Sequence, residues 1–146
     1  MRASATSRHS GSDLPEYYVV VMTFDHLAIF VSDVERSAAF YENVFDFARL
    51  PEPFQDGLHI WLAIGPNLSL HIVGNADAAK EHAISHHMAL RTEALEEFMA
   101  RLDAMHLNYR DFPGTGKVNF RRDGIRQIYF QDPDNYWIEV NEARYE

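Results

Sequence analysis

Apolar and polar positions alternate in short runs from residue 23 onward, and two stretches of helical spacing interrupt them. TFDHLAIFV alternates every second residue, the period of a half-buried strand. Ser32 and Glu35 then stand at capping-box spacing. Val34, Ala38, Tyr41 and Phe45 recur at three and four and predict a helix with one apolar face. DFARL, GLHIWLAIG and LSLHIVG read as strands, and Gly65-Pro66-Asn67 is a tight turn between the last two. A stretch rich in Ala, Asn and Asp, Gly74 to Lys80, leads to a second unit. There AISHHMALR is a strand, and Thr92 caps a helix with Leu95, Phe98, Met99, Leu102 and Met105 inward. Glu93, Glu96 and Glu97 fall at its start, where the helix dipole favours them. LNYR, IRQIYFQ and YWIEVNEA complete the unit as strands, with a long loop from Asp111 to Gly124 and a turn at Asp132-Pro133-Asp134-Asn135.

The two units are alike in residues as well as in pattern. His26-Leu-Ala-Ile opens the first and His87-Met-Ala-Leu opens the second. Leu70-His71-Ile-Val closes the first and Ile138-Glu139-Val-Asn closes the second. The expected fold is α+β, with paired βαβββ units forming a curved mixed sheet around a cavity and burying a shared core. Residues 22–146 form one domain of two repeats, about 22–74 and 84–142. Residues 1–21 are small, polar and aperiodic. They read as a disordered extension ahead of a functional start at Met22, or YYVVV adds an edge strand.

Composition narrows the chemistry. The chain has 146 residues, 47% hydrophobic and 13% aromatic, which is globular. Its net charge of −9 argues against nucleic acid as the main partner. No apolar run is long enough to span a bilayer. The absence of cysteine excludes a thiolate nucleophile and a Cys-based zinc site, and fits a cytoplasmic location.

Against that background the repeat-equivalent positions hold His26, His71, His87 and Glu139, each in an otherwise apolar strand. A buried, unpaired carboxylate is costly, and a metal is a natural partner. Imidazole and carboxylate suit one divalent ion among Ni, Zn, Mn, Co and Fe. Three neutral imidazoles and one carboxylate leave such an ion a net charge near +1 and good Lewis acidity. His86 competes with His87, but His87/Ala89 repeats His26/Ala28. The competing account is four unrelated, hydrogen-bonded side chains. His9, His59, His82, His86 and His106 lack repeat partners and read as ordinary histidines. Lys117, Arg121, Arg122 and Arg126 against Asp123 make a local +3 in the long loop. That cluster is either an anion clamp or a solvated loop. Trp61 and Tyr129 occupy equivalent middle strands and either line the cavity or fill the core.

FDHLAIFVSDVERSAAFYENVF, LSLHIV, HHMALR and QIYFQDPDNYWIEV resemble the vicinal oxygen chelate superfamily: glyoxalase I, fosfomycin-resistance thiol transferases, methylmalonyl-CoA epimerase, extradiol dioxygenases and bleomycin-binding proteins. The resemblance spans residues 22–142. It implies a metal on the cavity floor held by His26, His71, His87 and Glu139, and a homodimer whose sites are often completed by two chains. It also implies chelation of two neighbouring substrate oxygens. The reading it favours is a glyoxalase-like lyase or isomerase acting on a small anionic or thiol-conjugated substrate through an enediolate-type intermediate. Glu139 is then the candidate catalytic base, and Trp61, Lys117, Arg121, Arg126 and Tyr129 are substrate contacts. Glutathione or another thiol is the expected co-substrate. Glyoxalase I carries a carboxylate where His71 stands here. The alternatives are a fosfomycin-type thiol transferase using His26, His87 and Glu139, a small dioxygenase, and a non-enzymatic drug-binding protein.

Overall fold

The computed structural model describes residues 22–75, 77 and 80–144. The proposed start at Met22 and the YYVVV edge strand involve residues outside or at the limit of that range. Two βαβββ units follow one another. The first comprises β1 (His26–Phe30), α1 (Val34–Phe45), β2 (Ala48–Arg49), β3 (His59–Gly65) and β4 (Leu68–Val73). The second comprises β5 (His87–Arg91), α2 (Leu95–Ala104), β6 (Asn119–Phe120), β7 (Arg126–Gln131) and β8 (Trp137–Asn141). The fold is α+β as expected, and each of the paired units forms its own mixed four-stranded sheet, ordered β1-β4-β3-β2 and β5-β8-β7-β6. In each, the first strand runs parallel to the last and the other neighbours are antiparallel.

One face of each sheet, with one face of each helix, makes a common core. Ile29, Leu62, Leu70 and Ile72 of the first sheet join Ile128, Phe130, Ile138 and Val140 of the second. Ala38, Tyr41 and Val44 enter from α1, and Leu95, Met99 and Leu102 from α2. Phe45 stacks against Phe47, Phe98 and Phe130, so aromatic packing ties both units together. Because side chains alternate along a strand, this core leaves His26 and His71, and likewise His87 and Glu139, on the opposite faces.

Local details depart from expectation. Asp33, not Ser32, caps α1 by accepting the Arg36 amide. The Ser32 hydroxyl instead donates to Asp134 at 2.7 Å, since that buried carboxylate competes for it. Thr92 accepts the Ala94 amide ahead of α2, but the N-cap itself is Ala94, with no side-chain bond. Met105 ends the helix exposed rather than inward. LNYR is not a strand and contributes only an isolated bridge, Arg110 to Tyr129. The Asp111 carboxylate accepts the Thr115 amide and hydroxyl and turns the chain away. Gly114, at φ 78°, completes that turn in a region open to glycine. The fourth strand is supplied later, by β6.

The two units are also joined by a polar lock under the β7–β8 turn. Asp134 accepts from the Ser32 amide and hydroxyl, the Ser37 hydroxyl and the Arg36 guanidinium. Asp132 accepts from the Tyr41 hydroxyl at 2.8 Å and from two turn amides. Both carboxylates are buried. Here a turn of the second unit grips the helix of the first.

Candidate metal centre

The ladder registers reproduce the sequence repeat. Ala28 pairs with His71 and Ala89 with Glu139. Trp61 pairs with His71 and Tyr129 with Glu139. His26 and His87 open the equivalent strands β1 and β5. The same registers place His59 opposite Val73 and Gln127 opposite Asn141, so His59 also has a repeat partner. Its period-two spacing from Trp61 is the signal in the sequence that places it on this face.

On the second sheet, the His87 Nδ1 lies 2.8 Å from the Ile84 carbonyl. A carbonyl only accepts, so Nδ1 carries a proton and Nε2 is the ring atom turned toward Glu139. That Nε2 sits 3.1 Å from Glu139 Oε2. Two acceptors at this distance repel unless a proton or a cation lies between them. The Tyr129 hydroxyl donates to the same Oε2 at 2.7 Å, and the Asn141 amide donates to Oε1 at 2.7 Å. Burial and then the Glu139 bond push the Tyr129 hydroxyl well above the usual phenol range, so it stays a donor.

On the first sheet, His26 Nδ1 is 2.7 Å from Asp25 Oδ2, which again leaves Nε2 as the free atom. His71 is arranged differently. It stacks on Trp61 with ring centroids 3.9 Å apart, and its Nε2 lies 2.8 Å from His59 Nδ1. Burial, then His59 and His26, hold the His71 imidazole below its ordinary range, so it is neutral at pH 7. The Trp61 indole N–H is buried with no hydrogen-bond partner among the described residues.

These donors suit a divalent ion, but one chain presents them in two halves, one on each sheet. Among the described residues, no three His, Asp or Glu side chains converge as an ion would require. Between the free edges of β1 and β5 lies a cavity of about 280 Å³, lined by Ala28 and Ile29 on one side and by His87, Met88 and Trp137 on the other.

The basic loop is less convergent than its sequence suggests. Lys117 lies against Tyr109 and Asp103, and Arg121 is bound 2.6 Å from Asp123. Arg126 projects from the other face of β7, where Glu142 and Glu96 hold it. Alternation along β7 therefore removes Arg126 from the Glu139 face, and it does not join a clamp there. Arg121 is the member close enough to influence the Tyr129 hydroxyl electrostatically.

A family model described as Glyoxalase/Bleomycin resistance protein/Dioxygenase superfamily matches residues 23–140. The metallothiol transferase FosB of Lysinibacillus sphaericus (strain C3-41) is 32% identical over 127 residues, covering 84% of each chain. The solved structure of oxidase ChaP-H2 superposes with a TM-score of 0.70 at 22% identity, over 85% of this chain and 95% of that one. A variant of the fosfomycin resistance protein FosX from Listeria monocytogenes, in complex with Mn(II) and 1S,2S-dihydroxypropylphosphonic acid, superposes at 0.69 with 21% identity, over 85% and 94%.

Proposed function

The chain belongs to the glyoxalase/bleomycin resistance protein/dioxygenase superfamily, and on that premise we propose a metal-dependent enzyme that adds a nucleophile, a thiol or water, to a small anionic electrophile such as an epoxide. Its ligands are His26, His87 and Glu139. The carrying observation is the His87–Glu139 pair: Nε2 and Oε2 stand 3.1 Å apart, with the far nitrogen of the histidine committed to a carbonyl. His26 has its Nδ1 committed in the same way, to Asp25. Both then present Nε2 to an ion, oriented by an outer partner. His71 has spent its Nε2 on His59 and stacks on Trp61, so it is left out of the ligand set. The identity to FosB and the Mn(II) held by FosX support this ligand type.

A divalent ion held by His26, His87 and Glu139 would supply Lewis acidity to a substrate oxygen. The chain's own groups do the rest. Tyr129 keeps Glu139 ionised and oriented through a short hydrogen bond. Trp61 offers an unused N–H for a substrate oxygen. The two half-sets meet when two copies associate, so that His26 of one chain faces His87 and Glu139 of the other, in a cytoplasmic homodimer. A second reading, a glyoxalase-like lyase or isomerase with His71 as fourth ligand, is favoured by the ladder equivalence of His71 and Glu139.

Metal content by mass spectrometry tests both. Wild type is expected to hold about one divalent ion per chain, and His26→Ala and Glu139→Ala to lose it. Retention in His71→Ala selects the three-ligand site, and loss there selects the second reading. Wild type that takes up no Ni, Mn, Zn, Co or Fe(II) sinks the enzyme. Mixing His26→Ala with Glu139→Ala chains is expected to restore roughly one quarter of the sites, because each mixed dimer regains one intact site. No recovery on mixing would place all ligands within one chain.

A further inference from the structure

Arg110 stands out among the arginines. Arg36, Arg49, Arg101, Arg121 and Arg126 each hold a carboxylate. Arg110 is half-buried in a chain of net charge −9, yet among the described residues it holds none. One guanidinium nitrogen, Nη1, donates to the Phe112 carbonyl at 3.1 Å and reaches the Asp111 carbonyl at 3.4 Å. Among the described residues, no hydrogen bond engages Nε or Nη2. A half-buried cation normally carries a counter-charge, because desolvation without one is costly.

The Arg110 backbone bridges to Tyr129, Tyr129 pairs with Glu139, and Glu139 pairs with Ala89. Residues that pair across a sheet project from the same face, so Arg110 and Glu139 share a row. The Arg110 guanidinium lies 4.7 Å from the centre of the Trp137 ring, two residues along β8 from Glu139. Phe112 closes the same corner, edge-on to Tyr129 at 5.6 Å. A planar cation held over an indole with one edge unspent is placed to take an oxyanion through two parallel N–H bonds.

We propose that Arg110, rather than the basic loop, is the substrate's anion receptor, taking a carboxylate or phosphonate at the Trp137 end of the Glu139 face. This uses the location of the proposed site and adds the class of substrate group it recognises. The alternative is that Arg110 only clasps the Asp111–Gly116 loop through its two carbonyl contacts.

Methylphosphonate and acetate, titrated separately into the protein as purified, are the probes, with the backbone amide and tryptophan indole N–H signals followed by nuclear magnetic resonance. The expected result is a saturable shift at Trp137 with methylphosphonate, weakened about tenfold or more in Arg110→Gln and less in Arg110→Lys. Tighter binding of acetate would assign the group to a carboxylate, with the same dependence on Arg110. Binding unchanged within twofold in both variants, or shifts confined to Lys117, Arg121 and Arg122, would overturn the proposal. The wild-type shift map decides the matter alone if Arg110→Gln fails to fold. Metal content is measured separately, so a chain that binds methylphosphonate through Arg110 and takes up no ion fails the metal reading and keeps this one.

Discussion

Glu139→Gln is expected to lower turnover about 10³-fold while the protein stays folded and still binds its ion. The substitution is nearly isosteric. The Asn141 amide keeps an acceptor in Oε1, and Tyr129 meets a side chain of the same shape at 2.7 Å. What disappears is the charge. Glu139 is buried and faces His87 Nε2 at 3.1 Å, so on the proposed reading its carboxylate would be the anionic ligand and the candidate base. The measurement pairs steady-state rates on the best substrate from an epoxide and hemithioacetal screen with metal content for the same sample. A rate within tenfold of wild type would show that Glu139 is neither base nor essential ligand. Loss of the ion along with the rate would make it a ligand first.

The largest stability effect is expected at Asp134, far from that chemistry. Asp134→Ala is expected to cost about 3 kcal/mol, because one buried carboxylate serves four donors. Ser37 is buried as well, and its hydroxyl is left without a partner. For a chain of this length that loss corresponds to a fall of roughly 6–12 °C in Tm. Asp134→Asn, which keeps an acceptor oxygen, is expected to lose less than half as much. Burial pushes the Asp134 carboxyl up, but the bonds from Ser32, Ser37 and Arg36 more than offset it and leave it below its ordinary value. Its contribution is therefore complete above the unfolded value, near pH 4, and disappears as pH falls through the lower folded value. Asp132 has the opposite sign. Burial raises it, so its contribution is complete at low pH and declines as pH rises through the folded value. Denaturant unfolding between pH 2.5 and 7 should show Asp134→Ala losing much of the acid-side slope. An unchanged slope would mean that Ser32, Ser37 and Arg36 find other partners.

Strand periodicity places the candidate residues on one face of each sheet. Alternation in HLAIF, LSLHIV, HMALR and WIEVN separates core positions from His26, His71, His87 and Glu139, and the ladder registers place each in its repeat-equivalent row. Side-chain period two is a local property, so it survives without knowledge of what packs where. The capping box was misread for the opposite reason. Ser32 has cap chemistry, but a buried carboxylate 102 residues away takes its hydroxyl. The basic loop was overcounted because charge along a chain does not say which acid each side chain will meet. Arg126 meets Glu142 and Glu96 across the sheet.

His59 and Arg110 were overlooked, and both depend on neighbours distant in the chain. His59 matters through His71, twelve residues on, and Arg110 through Trp137 and Tyr129. The sequence by itself determined the paired βαβββ units, the face each candidate ligand occupies and the absence of any cysteine chemistry, because these follow from local spacing and composition. Only the tertiary structure decided which imidazole nitrogen is free, that Arg110 meets no acid among the described residues, and that one chain presents the candidate ligands in two halves. Those outcomes depend on partners that meet through folding, and a hydrogen bond formed with one neighbour is no longer available to another.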